Sequence, residues 1–296
     1  MKKILFTFAL LPLLSSAQMT IFGGDSKVKL KDPQPVIGQV LYDFSYIADT
    51  TQPELVKKEI MLLEYSKDYS EFSSQTFHIS DSTSKADMEK QLKDQAGTAN
   101  ISLTMKPRLG STDIYFSDKN GIFLQKEFVQ KKYLIKDSES KIDWTIEDST
   151  KTIGGYTCQK ATGISHGRPY VAWFTTDLPY SYGPRKLSGL PGLILETYDV
   201  TDRIIYTFKQ FSEKTGKQIG PPENALATTQ KEYDEMQAAF KANPNAFFNN
   251  TASSSPSSGS EDMSKIKSIS INTSSSFTPN KNQKKVVINF PIDLVK

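Results

Sequence analysis

Gly189-Leu190-Pro191-Gly192-Leu193-Ile194, continued by Leu195-Glu196-Thr197-Tyr198, is the stretch whose reading decides the fold. Proline at 191 presets φ near about −65° and glycine at 192 tolerates positive φ, the demands of the two central residues of a type II turn. The apolar run from Leu193 to Tyr198 then reads as a strand. The motif is therefore a tight corner that delivers a strand into a core, a structural statement before a chemical one.

The residues before this corner are nearly all β in pattern. Val36, Gly38, Val40, Tyr42, Phe44 and Tyr46 alternate in strand phase. Asp113 to Phe116 and Ile122 to Gln125 flank an Asn120-Gly121 pair, the signature of a two-residue hairpin. Ile142, Trp144 and Ile146 alternate with polar residues and predict a strand with one buried face. Ile153-Gly154-Gly155-Tyr156 is the next turn, Tyr156 to Thr162 the next strand, and Tyr170 to Phe174 a strand apolar on both faces. After the corner, Asp199 to Arg203 is polar and turn-like, and Ile204 to Phe208 returns as a strand. Residues 57–65 admit either a helix or a return strand.

Two helices interrupt this pattern. Ser84 and Asp87 form a capping pair before Met88, Leu92 and Ala96, with Gly97 as the stop. Thr229 and Glu232 cap a second helix through Tyr233, Met236 and Phe240, ended by Asn243-Pro244. Residues 249–283 are rich in serine, poor in apolar surface, and read as a flexible linker. Val286 to Phe290 regains strand character, so 284–296 reads as a C-terminal strand or tail. The fold class is mainly β (α+β): an antiparallel, curved meander sheet or half-barrel over residues 18–248, with two short helices.

Lys2 and Lys3, the apolar run Ile4 to Leu14 and the small residues Ser15-Ser16-Ala17 predict a signal peptide, residues 1–17. Gln18 follows the expected cut, so no cysteine is placed there to carry lipid. A mature chain in the periplasm or outside the cell is expected, with no transmembrane segment. Losing the two lysines and no acids takes the formal charge from +3 to +1, which gives no electrostatic case for nucleic acid. A lone cysteine, Cys158, cannot form an internal disulfide and is expected to be buried.

Ile142-Asp143-Trp144, Ile153 to Ala161, Ala172 to Thr175, Gly183-Pro184 and the hexapeptide 189–194, in this order, resemble the GLPGLI family of secreted Bacteroidota proteins. Asn289 to Leu294 adds to the resemblance near the end. It implies an envelope protein considered beside TonB-dependent outer-membrane receptors, and it carries over no catalytic residues.

The residues offer little chemistry of their own. Gly163-Ile164-Ser165-His166-Gly167 matches the G-x-S-x-G elbow, but that elbow needs a following helix and a later histidine, whereas a strand begins near Tyr170. A turn between strands is the expectation. The two histidines, His78 and His166, have no metal-ligand spacing, and no phosphate loop or dinucleotide fingerprint occurs, so no metal or cofactor is implied. Glu196, Asp199 and Asp202 read as a solvated turn. Trp173, Tyr180, Tyr182 and Arg185 are the candidate contact residues, being of the types enriched at interface hot spots. Two functions are expected from them: an accessory protein that docks another envelope protein, plausibly a transporter, or a carrier of an apolar ligand in a curved sheet. An inner face that is filled and one that is hollow look alike in sequence.

Overall fold

The computed structural model describes residues 29–98, 100–137, 141–213, 216–244, 268–273 and 286–294. The expected signal peptide lies outside the described residues, as does most of 249–283. Along the chain run β1 (Gln34–Pro35), β2 (Gly38–Tyr46), β3 (Lys57–Tyr65), β4 (Tyr69–Ser74), α1 (Gln75–Asp94), β5 (Asn100–Met105), β6 (Ile114–Asp118), β7 (Gly121–Phe128) and β8 (Lys131–Lys136). There follow β9 (Thr145–Ile153), β10 (Tyr156–Ser165), β11 (Arg168–Thr175), β12 (Leu193–Asp199), β13 (Ile204–Glu213), β14 (Gln218–Ile219), β15 (Leu226–Thr228), α2 (Gln230–Ala242) and β16 (Ser268–Thr273).

Twelve strands form one sheet in the order β15-β8-β7-β6-β4-β3-β2-β13-β12-β11-β10-β9. It is two antiparallel meanders, β2 to β8 and β9 to β13, joined where β13 pairs with β2 through Phe44 opposite Tyr206. Only β15 lies parallel to its neighbour, β8. The expected mainly β, antiparallel architecture is the one found.

The topology forces curvature. Strands β8 and β9 are consecutive in the chain yet ten inter-strand steps apart in the sheet. At about 4.8 Å per step, a flat sheet would hold them about 48 Å apart. The nine peptide units from Lys136 to Thr145 reach about 32 Å at most. The sheet must therefore curl toward itself, and among the described residues it stays open.

Its concave face carries the main core. In β2, Val40, Tyr42, Phe44 and Tyr46 point inward, as the alternation predicts. Tyr206 stacks on Phe44 at 4.6 Å between ring centroids and meets Phe72 edge-on at 5.9 Å. A smaller cluster of Val36, Tyr69, Phe116 and Ile219 forms where the β1–β14 ribbon covers the other face.

Several local expectations hold, each for a visible reason. Asp118 and Gly121 pair across the Asn120-containing turn of β6–β7. Gly154 and Gly155 both have positive φ, 58° and 91°, in the two-residue turn of β9–β10. Thr229 and Glu232 make a complete capping box on α2. Residues 57–65 resolve as a strand.

Others are corrected. α1 begins at Gln75, nine residues before the expected start, capped by Ser74, whose hydroxyl accepts from the Phe77 amide at 3.1 Å. Residues 75–83 lack apolar periodicity, so nothing in their pattern announces a helix. β9 starts at Thr145, and Ile146 is exposed while Ile142 is buried, so the expected buried face extends only to its first part. Within the serine-rich stretch, 268–273 is a strand pairing in parallel with β5, because Ser-Ile-Ser-Ile-Asn-Thr alternates locally even though the stretch as a whole is polar. Residues 286–290 form no strand and are held by the Ala48 carbonyl and by side chains instead.

Candidate functional site

The corner at 189–194 is real but is not a type II turn. Positive φ falls at Gly189 (96°) rather than Gly192. Gly192 is required for space: a Cβ there would lie 2.0 Å from the carbonyl oxygen of Thr175. The loop before it, residues 176–192, folds back over the concave face. Leu193 N–H donates to Leu178 O at 2.9 Å, Ile194 N–H to Tyr182 O at 3.0 Å, and the Tyr42 hydroxyl to Ile194 O at 2.7 Å.

This fold-back settles where the candidate contact residues lie. Tyr180 packs on Tyr65, ring centroids 4.8 Å apart, and Tyr182 lies 6.3 Å from the same ring. Trp173 lies under the Lys151 ammonium at 4.4 Å, and Lys151 is paired with Glu196. Arg185 is turned inward from a backbone with φ of 56°, donates to the Tyr115 hydroxyl at 3.0 Å and pairs with Asp293. The tyrosines and Arg185, expected on an exposed loop, are thus packing residues of a lid on the core. Trp173, Tyr180 and Tyr182 all pack against the main core cluster.

What the structure does gather is a polar cluster at the rim of the curved sheet. The Lys186 ammonium bridges Asp293 at 2.9 Å and Asp137 at 3.2 Å. His166 Nε2 lies 2.9 Å from Asp137 Oδ1, and its Nδ1 lies 2.9 Å from Ser165 Oγ. Asp137 follows β8 and His166 sits in the β10–β11 turn, so this contact fastens one end of the sheet near the other. Burial holds the Arg185 guanidinium back from charge, but Tyr115 and Asp293 more than compensate and raise its pKa; the Asp293 carboxyl lies well below the usual carboxylate range, because Arg185 and Lys186 outweigh its own burial.

Ser165, His166 and Asp137 have the connectivity of a hydrolytic triad with the ring nitrogens exchanged. The surroundings favour a clasp. His166 and Gly167 form the two-residue turn expected there, both at positive φ. Ser165 is buried, Asp137 shares its charge with Lys186, and the His166 carbonyl accepts from the Leu294 amide at 3.1 Å. Cys158 is buried as expected, and burial pushes its thiol up to about 11, away from nucleophilic character. Among the described residues no group of three or more His, Cys, Asp or Glu is placed to hold a metal ion.

Residues 289–294 cross this rim as a bent strap. Phe290 lies under Arg168 at 3.9 Å and Arg203 at 4.9 Å, while its carbonyl accepts from the Tyr46 hydroxyl. Arg168 donates to the carbonyls of Pro291 and of Ile292, the latter at 3.1 Å. The Asn289 side chain accepts from Thr50 N–H at 2.9 Å and donates to Asp49 at 3.2 Å. Sequence reasoning missed this site because its partners are far apart in the chain. The one available signal was the Asn289 to Leu294 motif itself.

A second buried group lies on the opposite face. Glu64 and Glu71 are directly opposed on β3 and β4, with Lys217 3.1 Å from Glu64. Burial, then the charge of Glu64, pushes Glu71 up to about 7 against the opposing pull of Lys217 and Lys132. A carboxyl raised in the native state contributes full stability below its unfolded value and loses it as pH rises through the folded one. Stability should therefore fall by about 3 kcal/mol as Glu71 ionises, between about pH 4.5 and about pH 7. His78, its pKa lowered by burial first and then by Lys217, contributes with opposite sign. Comparing Glu71→Gln with the wild type isolates the carboxyl: the urea midpoint of the variant should gain on the wild type as pH rises, and a constant difference would refute the assignment.

Residues 166–196, which include the corner and the loop over the core, match a Bacteroidota-type family described as a protein of unknown function (Porph_ging). No curated protein matches the chain. Among solved structures it is similar to PNGF-II in two crystal forms, P21 and C2. Identity is 12% in both, with TM-scores of 0.45 and 0.44, covering 68% and 67% of this chain. The chain spans about a third of the length of those proteins, 33% and 32%.

Proposed function

We propose that this chain is a secreted, envelope-associated accessory protein of the GLPGLI type that docks another envelope protein, with an outer-membrane transport system as the partner class. The carrying observation is that the concave face, where an apolar ligand would have to sit, is occupied by Tyr42, Phe44, Phe72 and Tyr206 in mutual ring contact. A hollow of about 440 Å³ is open to solvent, with Asp43, Lys58, Glu59 and Thr207 among its lining residues. The filled aromatic face favours docking over carriage of an apolar ligand. The best-presented surface is β9, which ends the sheet among the described residues and exposes Thr145, Ile146, Ser149, Thr150 and Thr152. A strand edge of this kind recruits an extended segment through its backbone groups.

Photo-crosslinkers placed at Ser149 on β9 and at Ser82 on α1 test this in the native envelope. Docking predicts a discrete adduct with a second polypeptide from position 149 and none from position 82. Equal labelling from both positions would defeat it. A stoichiometric apolar molecule on the natively purified chain would transfer support to the carrier alternative.

A further inference from the structure

The strap at 289–294 is received mainly by side chains. It contributes no rung to a sheet ladder; its amides donate to the backbone carbonyls of Ala48 and His166, while its carbonyls, its aromatic ring and its carboxylate are received by side chains, chiefly Tyr46, Arg168, Arg185 and Lys186. Those receiving groups lie on β2 and β11 or in the loop over the core, elements paired or packed through contacts of their own. The arrangement is that of a groove reading a peptide: a ring against two guanidinium groups, carbonyls read by Arg168 and Tyr46, and an acidic side chain on a cation pair.

An empty groove would be costly. Arg168 is 5% exposed, and without the strap it would lose the carbonyls of Pro291 and Ile292; Arg185 and Lys186 would lose Asp293. The groove therefore calls for an occupant, and the sequence shown to fit is Asn289-Phe290-Pro291-Ile292-Asp293-Leu294. Every copy of the chain carries it. The thirteen peptide units from Thr273 to Val286 reach about 45 Å when extended, enough to span to an adjoining molecule.

We propose that this groove is a peptide-binding site, filled in an isolated chain by its own residues 289–294 and able to receive the same residues from a second copy, so that two chains exchange straps. Exchange preserves the strap contacts in both grooves and breaks no sheet hydrogen bond, the condition under which swapping is cheap. In cis the tether gives the strap a high effective concentration, so exchange shows itself when the cis strap is disabled or the chain is concentrated.

The test uses full-length chains. Asp293→Arg disables the strap and leaves the groove intact. A fluorescent peptide of residues 286–294 should bind this variant at least about tenfold more tightly than it binds wild type, whose groove is occupied. The same peptide with Phe290→Ala should lose about tenfold or more. Mixing Asp293→Arg with Arg185→Met, or with Lys186→Met should the first not fold, should give a heterodimer by sedimentation that neither chain forms alone. Equal peptide affinity for wild type and Asp293→Arg overturns the proposal, as does unfolding of Asp293→Arg, since a segment required for folding is not exchangeable. Peptide binding without a heterodimer would overturn the second copy as occupant.

Discussion

Gly192→Val is expected to lose about 4 kcal/mol or more, a large share of the stability of an ordinary domain. The obstacle is backbone. A Cβ at 192 would meet Thr175 O at 2.0 Å, Thr175 C at 2.6 Å and Thr176 Cα at 3.1 Å. No rotamer relieves a clash with main chain, so β12 must move away from β11 where Thr175 pairs with Leu193. Leu193, Ile194 and Leu195, all fully buried, would move with it. Gly189→Val provides the control. Gly189 has a φ of 96° and open space around it, with only Trp144 Nε1 within 4 Å, at 3.9 Å. It should cost about 1–3 kcal/mol through backbone strain. Urea unfolding of both chains decides the matter; a larger loss at 189 than at 192 would show that conformation, rather than close approach, is what glycine supplies at this corner.

Asp199→Ala is expected to cost about 3–5 kcal/mol. The polar turn Asp199 to Arg203 looks solvated in sequence, yet Asp199 is fully buried. Its carboxylate accepts from the Arg203 and Ile204 amides, each at 2.8 Å, and from the Thr201 amide and hydroxyl. Arg168 lies 3.7 Å away. Alanine would strand these donors and leave Arg168 with only the strap carbonyls, and buried donors without acceptors are expensive. Asparagine keeps one acceptor oxygen and should lose about half as much. Thermal unfolding of the two variants should rank them in that order. A loss under about 1 kcal/mol for alanine would mean that water replaces the carboxylate, and that the turn is not organised by it.

The elements legible in sequence are those whose instructions are local. Asn120-Gly121, Gly154-Gly155 and the Thr229–Glu232 pair each specify a turn or cap from residues within a few positions of one another. The inward phase of β2 was equally plain, because alternation carries its own register. What could not be read depends on distant partners. Arg185 looks like a surface contact until Asp293, 108 residues later, is brought to it. The clasp needs Asp137, His166 and Lys186 from three separate connections. Val286 to Phe290 has strand composition, but its amides and carbonyls go to Asp49, Ala48 and Tyr46 rather than to a ladder. The sheet edge at β9 is the least legible of all, since an edge strand is written in the same residues as an interior one.

The pairing of β2 with β13 sets the order in which the molecule can be made. Phe44 and Tyr206 are neighbours in the sheet, but the whole of both meanders lies between them in the chain. Closing so long a loop carries an entropic cost that local hairpins avoid, so β2 through β8 can assemble early while one side of β2 waits for a partner. During synthesis that side has no partner until the chain has passed residue 213, the end of β13. Pulse-labelled hydrogen exchange during refolding should show amides of β6 and β7 protected before those β2 shares with β13; simultaneous protection would mean that the two halves condense together. A chain cut short before Ile204 would keep that edge bare and be expected to associate with itself through it.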